Sequence, residues 1–229
     1  MLHRSATWRK WLVPLLLLTS SSTFGAAPGA GGGAVLAQKG TAAGAPPCAT
    51  CHGQNGEGNP AAGFPRLAGI GQPYLEAQLE AFASGTRANA VMAPIAKALL
   101  PAERRAAAAY YARLAFPIEF AMPADGPAPP AVGAMLALRG RWDRGQLPAC
   151  VQCHGPDGTG VGGQFPPLAG QSAPYIAAQL RAWREGKRPP GPLHLMQAIA
   201  TKLLPEDIDA VAQYFGTLQP RANPTKAKP

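Results

Sequence analysis

The pentapeptide Cys-x-x-Cys-His occurs twice in this chain of 229 residues, as Cys48-Ala49-Thr50-Cys51-His52 and as Cys150-Val151-Gln152-Cys153-His154. Between them the two motifs use all four cysteines. The spacing lets two thiols each form a thioether to a haem vinyl group, while the next residue presents an imidazole to the iron. A redox disulfide of thioredoxin type would follow a strand in a βαβ pattern, which is missing here. A zinc ribbon keeps its cysteine pairs within a few tens of residues, whereas these motifs start 102 residues apart. Neither alternative accounts for a histidine directly after the second cysteine both times. Two covalently bound haem c groups are therefore expected, one on Cys48 and Cys51 and one on Cys150 and Cys153, with His52 and His154 on the irons.

The N-terminus agrees with that chemistry. Arg4, Arg9 and Lys10 precede an apolar run from Trp11 to Leu18, and small and polar residues follow from Thr19 to Ala27. This is the three-part layout of a secretory signal, and the run is far short of the ~20 apolar residues that span a bilayer. Residues 1–27 read as a signal peptide cleaved near Gly25 to Ala27. Haem is joined to such motifs outside the cytoplasm, so a periplasmic location is expected. The formal charge of +9 falls to +6 without the three cations of the leader. Four haem propionates would offset much of the rest. No Lys/Arg run with interleaved aromatics occurs, so nucleic acid is not an expected partner. A modest positive face can still steer an acidic protein.

An internal repeat supplies the architecture. Gly63-Phe64-Pro65-Arg66-Leu67-Ala68-Gly69 matches Gln164-Phe165-Pro166-Pro167-Leu168-Ala169-Gly170. Tyr74, Gln78 and Leu79 return as Tyr175, Gln179 and Leu180, and Leu99-Leu100-Pro101 returns as Leu203-Leu204-Pro205. Gly33 to Gly40 matches Gly133 to Gly140, so cleavage after Ala37 would remove most of a helix that both halves share. The expected organisation is one domain over 28–116, a linker over 117–131 with five prolines, a second domain over 132–219, and a disordered basic tail over 220–229.

Each unit reads as helical. Leu75, Leu79 and Phe82 form one helical stripe, and Ile176, Leu180 and Trp183 form its copy. Pro73 and Pro174 suit the first helical turns, and Gly85 and Gly186 suit the chain just past the C-termini. A last helix is expected to open at Pro101 with Glu103, and its copy at Pro205 with Glu206 and Asp207, acids that complement the helix dipole. No convincing alternating strand is visible. Such units have little apolar core of their own, so a buried haem is expected to serve as the core.

The second axial ligand separates a closed electron carrier from an open, reactive haem. The first repeat has no histidine besides His52 to serve. Met92, 40 residues after His52, is the candidate there, and Met196, 42 residues after His154, is its copy. His194 is a rival for the second iron. Met122 and Met135 read as ordinary core methionines.

This doubled set, Cys-x-x-Cys-His, Phe-Pro-x-Leu-Ala-Gly, Tyr-x-x-x-Gln-Leu and a downstream Met, resembles the dihaem cytochrome c4 family over nearly the whole mature chain. The resemblance implies an all-α protein of two tandem class I cytochrome c domains, each wrapped around one covalently attached haem. By position it implies Cys48, Cys51, His52 and Met92 on one haem, and Cys150, Cys153, His154 and Met196 on the other. It also implies a periplasmic electron carrier for respiratory oxidases. The expected protein is a monomer that moves single electrons between redox proteins, such as a membrane oxidase or a quinol-oxidising complex, with no small-molecule substrate at the iron. Two departures stand out. Gly29 to Gly33 makes the start of the first helix look loose, and segment 183–196 is three residues longer than 82–92.

Supporting residues are less constrained. Arg66, Arg87 and Arg188 can pair with haem propionates or stand as solvated surface groups. Pro65 and Pro166 are placed to pack near the proximal imidazoles, where a nearby carbonyl orients the ring. The rival function is a haem subunit of a dehydrogenase complex, or a dihaem enzyme such as a peroxidase or a sulfur-compound oxidoreductase.

Overall fold

The computed structural model describes residues 30–220 apart from 118, 126, 127 and 144. The expected leader, and residues 221–229 of the expected tail, lie outside the described residues. Among the described residues ten α-helices run in two matching series. The first is α1 (Ala30–Lys39), α2 (Ala49–His52), α3 (Gln72–Ser84), α4 (Met92–Ala98) and α5 (Pro101–Arg113). The second is α6 (Ala131–Leu138), α7 (Val151–His154), α8 (Ala173–Arg184), α9 (Leu195–Lys202) and α10 (Pro205–Thr217). No helix among the described residues is long and apolar enough to cross a membrane.

The starts and stops follow the local chemistry. Pro73 and Pro174 sit in the first turns of α3 and α8, where a missing N–H costs nothing. Gly85 ends α3 in the left-handed region at φ 80°. At the start of α5 the backbone N–H of Leu100 donates to the Glu103 carboxylate at 2.8 Å, and at α10 that of Leu204 donates to Asp207 at 2.9 Å. Each carboxylate thus satisfies a donor that the helix leaves free.

In each repeat the first helix packs on the last, α1 on α5 and α6 on α10, and the third packs against the last as well. Glycine is what allows the first contact. A Cβ on Gly33 would collide with the Ala106 carbonyl of α5, and one on Gly133 with the Ala210 carbonyl of α10. The glycine-rich stretch that looked loose in sequence is helical from Ala30, and Gly33 permits a close crossing there.

The two repeats differ in what they bury. The second has a continuous apolar cluster built on Leu136, Ile176, Leu180, Ile208, Val211 and Phe215. The first has two small clusters, one around Ile70, Leu75 and Tyr111 and one around Leu36, Ala45 and Leu99. The second repeat thus buries more large apolar side chains than the first, each worth about 1.5–3 kcal/mol when fully buried.

The linker is more structured than its prolines suggested. Phe120–Ala121 forms a short strand, β1, antiparallel to β2 (Gln219–Pro220), with Phe120 opposite Pro220. Phe120 is buried in the second cluster, and the Phe116 and Phe120 rings lie 5.5 Å apart. Gly69 in the first repeat faces Phe116, and its copy Gly170 faces Phe120, so closely that neither tolerates a side chain. Phe116, at the end of the first repeat, and Phe120 of the following segment thus pack as a pair against glycines of both repeats. Met135 packs on the second core as expected, whereas Met122 is exposed.

Candidate functional site

One cavity of about 660 Å³ runs between the two repeats and is lined by both. Its size is that of a site for a large organic ligand. Cys48, Cys51, His52 and Met92 of the first repeat line it, as do Cys150, Cys153, His154 and Met196 of the second. No cluster of three or more His, Cys, Asp or Glu side chains that could hold a bare metal ion occurs among the described residues. The two cysteine pairs thus belong to separate motifs and do not clasp one zinc.

Each motif is one helical turn. The N–H of His52 bonds the Cys48 carbonyl at 3.0 Å and that of His154 bonds Cys150 at 2.9 Å, which brings two thiols and an imidazole close together. Gly53 and Gly155 then leave the helix at φ 83° and 78°. The returning chain gives Gly58 N–H to the His52 carbonyl at 2.7 Å and Gly160 N–H to that of His154 at 2.6 Å.

That return positions the rings. The Nδ1–H of His52 donates to the Pro65 carbonyl and that of His154 to the Pro166 carbonyl, both at 2.8 Å. A proton fixed on Nδ1 leaves the Nε2 lone pair free for iron. Burial holds both imidazoles below their ordinary pKa, against the opposing pull of those carbonyls, so both are neutral at pH 7. Phe64 and Phe165 lie edge-on to the two rings at 6.0 and 6.1 Å. Burial also raises the Cys48 thiol, and pushes Cys150 up to about 12.

Met92 opens α4. Its N–H and that of Val91 donate to the Asn89 side-chain oxygen at 2.7 and 3.0 Å, which fixes where the helix begins. Met196 lies in the first turn of α9 and is half-buried like Met92. His194 is exposed and outside the cavity wall. The extra residues of this loop are taken up in a tight turn in which Leu193 and His194 both adopt positive φ, 55° and 56°.

The charged residues on the wall are Arg66, Arg87, Lys187 and Arg188, with no carboxylate among them. The three arginines are buried, at 2%, 6% and 4% exposure, and none forms an ion pair with a carboxylate of the described residues. The solvated-surface reading is thereby corrected. Burial pushes the Arg66 guanidinium down to about 10, still charged at neutral pH. Its Nε is buried with no hydrogen-bond partner, while its plane lies 3.5 Å from the Phe116 ring centroid.

Arg87 and Arg188 meet between the repeats. Arg87 donates to Gln78 of its own repeat at 2.6 Å, and to Gln179 at 2.6 Å and the Tyr175 hydroxyl at 3.2 Å across the interface. Arg188 donates to its own Gln179 at 3.0 Å, and to Gln78 at 3.0 Å and the Tyr74 hydroxyl at 2.7 Å across it. Single-repeat reasoning could not find this ring. The recurrence of Tyr, Gln and Gly-x-Arg at matched spacing was its only trace in the sequence.

Apolar walls, paired thiols, free imidazole nitrogens, a thioether in each repeat and buried cations without carboxylates fit an apolar macrocycle carrying acid groups. Haem has that chemistry, and the residues present suit two of them.

Comparison with known proteins agrees. The family model for cytochrome c matches residues 37–114 and again 146–219. A thiosulfate dehydrogenase electron acceptor of Stutzerimonas stutzeri is 46% identical over 215 residues, covering 94% of this chain and 96% of the relative. A cytochrome c4 of Pseudomonas aeruginosa is 38% identical, covering 73% and 82%. Among solved structures, thiosulfate dehydrogenase (TsdBA) of Marichromatium purpuratum superposes with a TM-score of 0.75 at 43% identity, over 85% of this chain. This chain spans only 41% of that larger protein. Reduced cytochrome c4 of Pseudomonas stutzeri superposes with a TM-score of 0.67 at 32% identity, over 82% of this chain and 97% of its own.

Proposed function

This chain belongs to the cytochrome c family as a tandem, dihaem electron-transfer protein, and from that premise we propose that it accepts electrons from a dehydrogenase of the thiosulfate-oxidising kind and passes them to a respiratory partner, such as a membrane oxidase, in the periplasm. The observation that carries the reading is likeness to two electron acceptors of thiosulfate dehydrogenase, at 46% and 48% identity over 94% and 81% of the chain. The fold it shares with part of a thiosulfate dehydrogenase supports it as well. The charged leader of 1–27 and the haem-attachment motifs favour export.

In this reading Cys48 and Cys51 hold one haem c and Cys150 and Cys153 the other. His52 and Met92 close one iron, and His154 and Met196 the other. The haem supplies the one-electron chemistry, and the thioether ligand favours its ferrous form. The protein's residues do the rest. Pro65 and Pro166 hold the imidazoles in one tautomer. Asn89 pins the turn that carries Met92. The arginines, buried on the wall, would balance the acid groups of the haems. With His52 and Met92 on one iron and His154 and Met196 on the other, the bound haems would exchange electrons with a protein partner rather than hold a substrate. His194, exposed and off the cavity wall, takes no part.

The test is reconstitution. Purified protein mixed with a thiosulfate dehydrogenase should show both haems reduced when thiosulfate is added, and oxidised again by a terminal oxidase. Reduction by a quinol-oxidising complex but not by the dehydrogenase would leave a general carrier of the cytochrome c4 kind and sink this partner assignment.

A further inference from the structure

The ring between the repeats is not symmetric in what each member does. Gln78 and Gln179 each accept from both arginines, so they tie the two cations together without favouring either. The tyrosines are exclusive. Among the described residues, Tyr175 of the second repeat accepts only from Arg87 of the first, and Tyr74 of the first only from Arg188 of the second. Aromatic faces of the home repeat complete each clamp, with Arg87 4.4 Å from the Phe82 ring centroid and Arg188 3.8 Å from that of Trp183.

A guanidinium is planar and its donors form a rigid fork, so each acceptor restricts where its charge lies; the glutamines are shared by both arginines, and the tyrosine hydroxyl is the acceptor that distinguishes one from the other. Reduction lowers the charge of a haem by one, and a cation held nearby in a poorly hydrated site favours the reduced form. Arg87 lies five residues before Met92, and Arg188 eight before Met196, each on the cavity wall of its own repeat. We propose that Tyr74 and Tyr175 are crosswise positioning residues: each fixes the arginine beside the haem of the other domain and thereby helps to set that haem's potential. Neither tyrosine needs to gain or lose a proton or an electron for this. The inference rests on the haem assignment proposed above.

Redox titration of the holoprotein, followed for each haem by its methyl resonances in NMR, tests it. Tyr175→Phe keeps the buried ring and removes the acceptor. It should lower the potential of the first haem and leave the second unchanged, and Tyr74→Phe should do the reverse. In the background of Arg87→Gln, adding Tyr175→Phe should shift nothing further, because the tyrosine acts through that arginine. Should Tyr175→Phe fail to accumulate, Arg87→Lys, which keeps the charge but loses the fork, must lower the same haem. Shifts confined to the tyrosine's own domain, equal shifts of both haems, or none would overturn the proposal. The long-wavelength thioether-to-iron absorption separates the two failures. If it persists while the crosswise pattern is missing, this inference alone is wrong; if the wild-type protein lacks it, the axial assignment falls.

Discussion

Arg141 grips the carboxylate of Asp207 with two hydrogen bonds, of 2.7 and 2.6 Å, and the matching positions of the first repeat, Thr41 and Glu103, make no such pair. The Asp207 side chain is 2% exposed, and it also caps α10 through Leu204. Arg141 holds it below the usual carboxylate range. A depressed folded pKa means that this stability is fully present above the unfolded value, about 4, and is lost as pH falls through the folded one. Arg141→Met should therefore destabilise the second domain by about 3 kcal/mol near neutrality, because it strands a buried charge. Thermal melts across an acid series should show the wild-type second domain weakening below about pH 4. In the variant, protonation relieves the stranded carboxylate, so this part of the acid dependence should be lost or reversed.

The proposed ligand roles of Met92 and Met196 can be tested one at a time. Met92→His and Met196→His should each lower one of the two potentials, because a second imidazole favours ferrous iron less than a thioether does. Each should also remove the thioether absorption of one haem only. Spectroelectrochemistry reads both effects.

Gly133→Ala inserts a methyl group where α6 crosses α10. We expect a loss of about 1–3 kcal/mol, the usual cost of overpacking a tight contact. Gly33→Ala should act likewise on α1 and α5. Gly186→Ala is a control for backbone strain alone, since its Cβ would meet nothing within 4 Å although φ is 68°. Chemical denaturation of the three holoproteins would rank them.

Gln171 is buried in the second repeat but serves the first. Its side-chain oxygen accepts from Arg66 N–H at 3.0 Å, and its nitrogen donates to the Arg66 carbonyl at 3.1 Å. Gln171→Ala leaves both backbone groups unpaired, at about 1–3 kcal/mol. Calorimetry should resolve the unfolding of the variant into two transitions farther apart than in the wild type.

Much of the fold was legible because its signals are local. The helices from Pro73, Pro174, Pro101 and Pro205 begin where proline, apolar spacing and acidic caps place them. The sequence also pointed to a carbonyl near Pro65 and Pro166 for the proximal rings. Two features were not legible. The β1–β2 pair is two residues per strand, too short for any alternation to show. Arg66, Arg87 and Arg188 looked like surface groups because their partners across the interface are about 90 to 114 residues away, and an arginine without a nearby acid carries no sign of burial.

The bonds that cross between the repeats bear on how such a chain can evolve. Arg66 rests on the Ala169 carbonyl, Tyr74 N–H on that of Gly163, and each arginine of the ring on the opposite tyrosine. A gene cut at the linker would yield halves whose buried polar groups face water on one flank. Once duplicated ancestors exchange such contacts, reversion to a free single-haem carrier requires several coordinated substitutions. Contacts that neither half can satisfy alone would favour inheritance of the tandem as one unit.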